Sequence, residues 1–256
     1  GPQKYENGDM VIFSVDGCLV VTANDTSIGD EIFRINGGPA NAAPTVTGPV
    51  AGQNVNDNAT IGPLSGVTTA DADDDTLDVT VTLSASANGV LTNLGSFADS
   101  GGGVYTLTGA TPAAATTAIR ALTFDPAENQ VAVGSTVTTT FTIGVDDGTA
   151  STVTNNTTTA IATSMNNAPT DISLNNNTVA EREPANTLVG TFSTTDLDPG
   201  ETHIYSLASG TGDTDNSSFT IVGNALRTNE VLDHETKGIC SIRVQTDDGN
   251  GGTYQE

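Results

Sequence analysis

Leu77-Asp78-Val79-Thr80-Val81-Thr82-Leu83 sets an apolar residue at every second position and a polar one between. A period of two places one set of side chains on each face of an extended chain, so this segment reads as a half-buried antiparallel strand with threonine outward. The second half of Thr136-Val137-Thr138-Thr139-Thr140-Phe141-Thr142-Ile143-Gly144-Val145 alternates in the same way, as do Phe219-Thr220-Ile221 and the stretch from Ile239 to Thr246. Short strands separated by Gly, Asn and Asp turns predict an all-β chain of sandwiches. One segment departs from the pattern. Thr111-Pro112-Ala113-Ala114-Ala115 opens with a capping threonine and a proline suited to the first helical turn, and an alanine-rich run follows to Leu122. It predicts one short helix lying across a sandwich.

The 256 residues allow two domains and part of a third. With 31 acidic against 7 basic residues the formal net charge is −24, which repels phosphate and argues against nucleic acid or an anionic membrane as partner. No apolar run reaches the roughly 18 residues of a membrane span, and no basic-then-apolar leader opens the chain. High charge with only 4% aromatic residues is also a signature of disorder, but 22 of the 31 acidic residues are Asp and 9 are Glu. The Asp residues gather in short clusters between the alternating segments. Clustered Asp in turns suits a hard cation, so the chain is read as folded with part of its charge neutralised. Cys18 and Cys240 are too far apart in the chain to suggest a framework, and Cys240 reads as a small core residue. The two Cys with His203 and His234 are too few and scattered for a zinc site, and both His read as surface residues.

The sequence repeats. Asn41-Ala42-Ala43-Pro44-Thr45 returns as Asn166-Asn167-Ala168-Pro169-Thr170, and 27 residues beyond each proline lies an Asp-x-Asp, Asp71-Ala72-Asp73 and Asp196-Leu197-Asp198. Each repeat then carries a late Asp-Asp-Gly, at Asp146-Asp147-Gly148 and Asp247-Asp248-Gly249. The register maps residues 41–166 as one repeat and 167–256 as a second, shorter one. In residues 1–40, two apolar runs flank Asp16-Gly17 and predict a β-hairpin over 10–22, either the end of a preceding repeat or appended strands.

Two carboxylates about 4 Å apart repel by roughly 4 kcal/mol at an effective dielectric near 20. Ca2+ takes six to eight oxygens from carboxylates, amides and carbonyls, and an Asn-rich linker beside Asp-x-Asp supplies all three kinds. A single cluster of this type is equally an ordinary Asp-rich turn. Matching register in two repeats favours the cation.

The second repeat resembles a bacterial cadherin repeat over residues 166–256. The resemblance rests on five motifs in order: Asn166-Asn167-Ala168-Pro169, then Val179-Ala180-Glu181-Arg182-Glu183, Asp196-Leu197-Asp198, Asp233-His234-Glu235, and the late Asp247. The first repeat is similar to the related cadherin-like modules found in tandem in very large bacterial surface proteins, and fits less closely. The resemblance implies tandem immunoglobulin-like (cadherin-type) β-sandwiches with Ca2+ at their junctions. At the internal junction it implies Asn166, Asn167, Asp196, Asp198 and Asp247. The upstream share departs from the family pattern: Asp57 stands next to the position of the early Glu, and Asp125 and Glu128 replace a close Asp-x-Glu. Asn41, Asp71, Asp73 and Asp146 would form a half-site facing whatever precedes Asn41. Glu181, Glu183, Asp233 and Glu235 would face a further repeat, so the chain reads as a segment of a longer array.

Family members continue past the late Asp with one more alternating strand than this sequence has. The 10–22 hairpin is a candidate to fill that gap, in cis or from a neighbouring chain. The Asp pairs lack the aromatic platforms of a glycosidase, and no nucleophile motif accompanies either His, so no enzyme is expected. The resemblance implies extracellular, Ca2+-dependent adhesion, with neighbouring repeats or identical chains as partners. A strand-donating filament subunit and a module for surface polysaccharide are the alternatives.

Overall fold

The computed structural model describes residues 40–256 throughout and, before them, the backbone of strands Met10–Val15, Cys18–Ala23 and Glu31–Ile35. Those three strands form an antiparallel sheet in chain order. The expected hairpin is therefore joined by a third strand, while its Asp16-Gly17 turn lies outside the described residues. Among the described residues this sheet pairs with no strand from beyond residue 40.

Strand Leu77–Leu83 buries Leu77, Val79, Val81 and Leu83 as its alternation requires. It lies inside a six-stranded sheet ordered Gln53–Asn56, Val153–Thr163, Thr136–Asp146, Leu77–Leu83, Val104–Ala110, Ala98–Gly101. Val153–Thr163 is central to this arrangement. It runs antiparallel to Thr136–Asp146, and its last four residues pair in parallel with Gln53–Asn56. Two further two-stranded ladders join Thr45–Thr47 to Thr68–Ala70 and Gly89–Thr92 to Thr123–Pro126.

The helix forms at Pro112–Ala121 with Thr111 as its cap, the hydroxyl accepting from Ala114 N at 3.3 Å. Its buried face is Ala115 and Ile119, and full burial of a side chain such as Ile119 contributes about 1.5–3 kcal/mol. Arg120 Nε donates to Val67 O at 2.7 Å, and Thr116 exchanges hydrogen bonds with Thr69, which fixes the helix against Thr68–Ala70. Phe124 and Phe141 meet edge to face at 5.1 Å in the core beneath.

Downstream, a four-stranded sheet (Asp171–Leu174, Leu188–Thr195, Ala225–Thr228, Phe219–Val222) accompanies a three-stranded one (Ile204–Leu207, Val244–Asp247, Thr253–Gln255). Their shared core is Ile172, Val189, Phe192, Phe219, Leu226 and Val244, with Phe192 stacked on Tyr205 at 5.3 Å. The expected strand from Ile239 to Thr246 forms only from Val244 onward. Residues before it are tied by their backbone to another loop instead. Ser241 N goes to Asp215 Oδ2 at 2.7 Å, Arg243 N to Asn216 Oδ1 at 2.9 Å, and Asp215 N to Ser241 O at 3.0 Å. Ile239 is consequently 84% exposed. Cys240 is half-buried at the edge of the core, where burial pushes its thiol up from the usual range.

A groove of about 760 Å3 opens beside this segment, between residues 177–181 and 237–242, with Leu174, Val189, Phe219 and Leu226 at its base.

Candidate metal centre

The linker at 164–170 has no strand pairing; its ends bond to backbone, Ser164 to Gly134 and Ser135 and Thr170 to Thr195, and side chains hold the residues between. Asp57, buried at the end of strand Gln53–Asn56, accepts from Met165 N at 3.0 Å on one oxygen and from Asn129 N at 3.1 Å on the other. Asn129, in the left-handed conformation that Asn tolerates (φ 57°), accepts Asn167 Nδ2 at 2.8 Å. Asn167 N then donates to Asp198 Oδ2 at 2.6 Å, and Asn166 Nδ2 to Asp248 Oδ2 at 3.1 Å. Both repeats thus grip one linker.

Around Asp198 the acidic groups converge. Asp196 Oδ1 accepts Asp198 N at 3.1 Å, and Asp196 Oδ2 lies 3.2 Å from His203 Nε2. Burial pushes the Glu201 carboxyl above the usual carboxylate range. A bond from Asn250 opposes the shift, and the charges of Asp196, Asp198 and Asp248 add to it. For Asp248 burial acts in the same raising direction but is outweighed by bonds from Asn166, Asn250 and Gly252, so its carboxyl sits low. Gly252 permits this approach: a Cβ there would meet Asp248 Oδ2 at 2.1 Å and Ala168 Cα at 2.7 Å.

Three buried oxygens in this cluster accept no hydrogen bond among the described residues: Asp198 Oδ1, Glu201 Oε2 and Asn166 Oδ1. An orphaned neutral acceptor costs roughly 1–3 kcal/mol and an ionised one more. Two carboxylate oxygens and an amide oxygen, in a pocket rich in negative charge, are the donor types a hard divalent cation takes.

The same pattern recurs upstream. Asn41 Nδ2 donates to Asp147 Oδ2 at 2.9 Å and Ala42 N to Asp73 Oδ2 at 2.6 Å. Asp71 accepts Asp73 N at 2.8 Å on one oxygen, while its other oxygen is buried without a partner. Carboxylate oxygens of Asp71, Asp73 and Asp75 lie within 4.8 Å of one another.

Of the residues singled out in the sequence, Asn41, Asp71 and Asp73 are brought together upstream, and Asp57, Asn166, Asn167, Asp196 and Asp198 downstream. Asp247 and Asp146 are not part of these groups. Each turns to its own loop, with Asp247 Oδ1 accepting Gly249 N and Asp146 Oδ1 accepting Gly148 N. The next residue of each pair takes the inward position. Val244 and Thr246 are buried, so period two sends Asp248 to the same face, and Val145 does the same for Asp147. Glu128 is exposed, and the carboxylates of Asp125 and Glu128 make no hydrogen bond to the linker; their neighbour Asn129 reaches it. Glu181, Asp233 and Glu235 form a separate, exposed cluster, and Glu183 is exposed outside it. Glu201 and His203 stand in no motif of the sequence, and His203, expected on the surface, has a side chain only 15% exposed, against Asp196. Their two-residue spacing in an extended stretch was the available signal.

No protein-family model matches the chain, and no curated protein does. Among solved structures it is similar to Protocadherin Gamma B2 extracellular cadherin domains 1–5, at 16% identity and a TM-score of 0.49, over 93% of this chain and 44% of that one. It is also similar to human Protocadherin-24 EC1-2, at 17% identity and a TM-score of 0.41, over 84% of this chain and 93% of that one. A third similarity is to mouse clustered PcdhgC3 EC1-3, at 16% identity and a TM-score of 0.41, over 96% and 74% of the two chains. The chain spans less than half the length of the first of these structures.

Proposed function

We propose that this chain is part of an extracellular, Ca2+-dependent adhesion array on a bacterial surface, with residues 41–166 and 167–256 as successive repeats. Ca2+ would be held upstream by Asn41, Asp71, Asp73 and Asp147, and at the internal junction by Asn166, Asp196, Asp198, Glu201 and Asp248. One observation carries the reading: a buried carboxylate oxygen without a hydrogen-bond donor occurs within the Asp-x-Asp of each repeat, Asp71 Oδ2 on its first Asp upstream and Asp198 Oδ1 on its second Asp downstream. The order of the linker, Asp-x-Asp and late Asp motifs supports it.

Mechanically, the linker already bonds to Asp57 and Asn129 on one side and to Asp198 and Asp248 on the other. A cation among the downstream carboxylates removes their mutual repulsion, so the two repeats hold one orientation. Rigid repeats then present their sides to identical chains or to matrix. Calorimetric titration with Ca2+ tests this, comparing the native chain with Asp198→Ala and Asp71→Ala. Each variant is expected to lose one binding event, and chelator to lower the melting temperature and broaden the inter-repeat distances in X-ray scattering. Unchanged melting and scattering with chelator would overturn the reading.

A second reading, strand donation between identical chains, is favoured by the 760 Å3 groove beside residues 177–181, whose lining includes Leu174, Val189, Phe219 and Leu226. Sedimentation velocity over a concentration series checks it: Val179→Lys, which puts a charge on the groove wall, is expected to abolish self-association. A chain that stays monomeric throughout would eliminate this reading.

A further inference from the structure

Asp196, Glu201 and His203 each offer one ligand atom, and these atoms lie within 4.8 Å of one another. The Asp196 side chain is 4% exposed and that of His203 15%. Beside them stands Asp198, 94% buried, its N–H bonded to Asp196 Oδ1 at 3.1 Å and one carboxylate oxygen lacking any donor; Glu201 Oε2 is likewise orphaned. We propose that these residues make the downstream cluster a mixed nitrogen–oxygen site that takes Zn2+, with His203 as a direct ligand.

The donor set is the argument. Imidazole contributes little to a hard ion such as Ca2+ but is a preferred ligand of Zn2+, which also accepts carboxylates. With bonds near 2 Å, tetrahedral Zn2+ ligands stand roughly 3.3 Å apart. Asp196 Oδ2 and His203 Nε2 are already 3.2 Å apart. Glu201 has only to draw in, and Asp198 Oδ1 or water supplies the fourth position. Without an ion, His203 satisfies Asp196 by donating from Nε2. To bind Zn2+ the ring carries its hydrogen on Nδ1 and turns the Nε2 lone pair to the metal, so binding is favoured by neutral imidazole.

Cys and His alone are too few for a zinc site in this chain; the convergence of carboxylates on His203 is what completes one. The upstream cluster is the internal control. Asp71, Asp73 and Asp75 supply oxygen only. The two clusters should therefore differ in ion preference, although their Asp-x-Asp cores match.

This inference deepens the cation reading of the same carboxylates. The full chain is titrated with Zn2+ and, separately, with Ca2+ by calorimetry, and the imidazole 15N shifts are followed by NMR. His234→Gln leaves His203 as the single imidazole, since the chain has two His. Zn2+ is expected to move the His203 ring signals as a nitrogen ligand at one equivalent, while Ca2+ leaves them as in the apo chain apart from small local shifts. His203→Gln should weaken the Zn2+ event at least tenfold and leave the number of Ca2+ events unchanged. The NMR arm needs no change at His203, so it stands if that variant misfolds. Unmoved His203 signals, or equal Zn2+ affinity in His203→Gln, would overturn the zinc assignment alone. Absence of both Zn2+ and Ca2+ binding would remove the cation reading itself, and Zn2+ binding without Ca2+ would remove only the Ca2+ reading.

Discussion

Asn167 bonds to Asn129 across the linker, Nδ2 to Oδ1 at 2.8 Å. Asn129 in turn donates its backbone N–H to Asp57, which also takes the N–H of Met165. On its upstream side the linker is therefore tied to one buried carboxylate, directly through Met165 N and indirectly through Asn129. Hydrogen bonds to a charged group are worth about 1.5–3 kcal/mol each. Asp57→Ala should destabilise the chain by roughly 2–4 kcal/mol in urea unfolding, with Asp57→Asn losing about half as much. Wild-type stability in both variants would mean the linker is held elsewhere.

Glu201 is forced into a pocket with three other carboxylates. Its folded-state pKa is raised, so the native chain holds that proton more tightly than the unfolded chain. Stability then falls as pH rises from the unfolded value through the raised folded one, and the ionised form at neutral pH is a strain on the ion-free fold. Glu201→Gln should raise the melting temperature at pH 7 in chelator. It should also shrink the gain in melting temperature on adding Ca2+. A variant less stable than wild type in chelator would show that Glu201 is not repelled there.

These two residues also mark what the sequence discloses. Leu77–Leu83 was legible because each inward position is apolar and each outward one polar, and the helix because Thr111 and Pro112 fit a cap and first turn. The Asp-x-Asp pairs were legible through their repeated register. Glu201 and Asn129 were not, since neither has a counterpart in the other repeat. The choice between Asp247 and Asp248 was readable from Val244 and Thr246 by simple alternation. Ile239–Arg243 misled for a physical reason: alternation records which side chains could be buried, whereas here Asp215 and Asn216 side chains take the backbone donors a ladder would use.

Gly252 offers a local probe of the downstream site. A methyl group there would overlap Asp248 Oδ2 and press on Ala168. Gly252→Ala should cost about 1–3 kcal/mol as an overpacked position. It should weaken the downstream Ca2+ event while leaving the upstream one, built on Asp71 and Asp147, at its original affinity. Equal weakening of both events in the calorimetric trace would point to a global change rather than displacement of Asp248.

Asp215 joins the irregular segment before Val244 to the loop at 213–216. Lys237 Nζ donates to its Oδ1 and Ser241 N to its Oδ2, and these bonds, Lys237's first, hold the carboxyl below the usual range. A depressed folded-state pKa contributes stability that is present above the unfolded value, about 3.9, and is lost as pH falls through the folded one. Asp215→Asn removes this group's share: it should be less stable than wild type at pH 6, and the difference should narrow as pH drops below about 4. Lys237→Met keeps the Ser241 bond, so its deficit should be smaller at pH 6 and begin to close only at a lower pH than that of Asp215→Asn. Urea unfolding at intervals from pH 6 down to 2 measures both. A deficit that stays constant across that range would show that Asp215 acts through packing rather than through its charge.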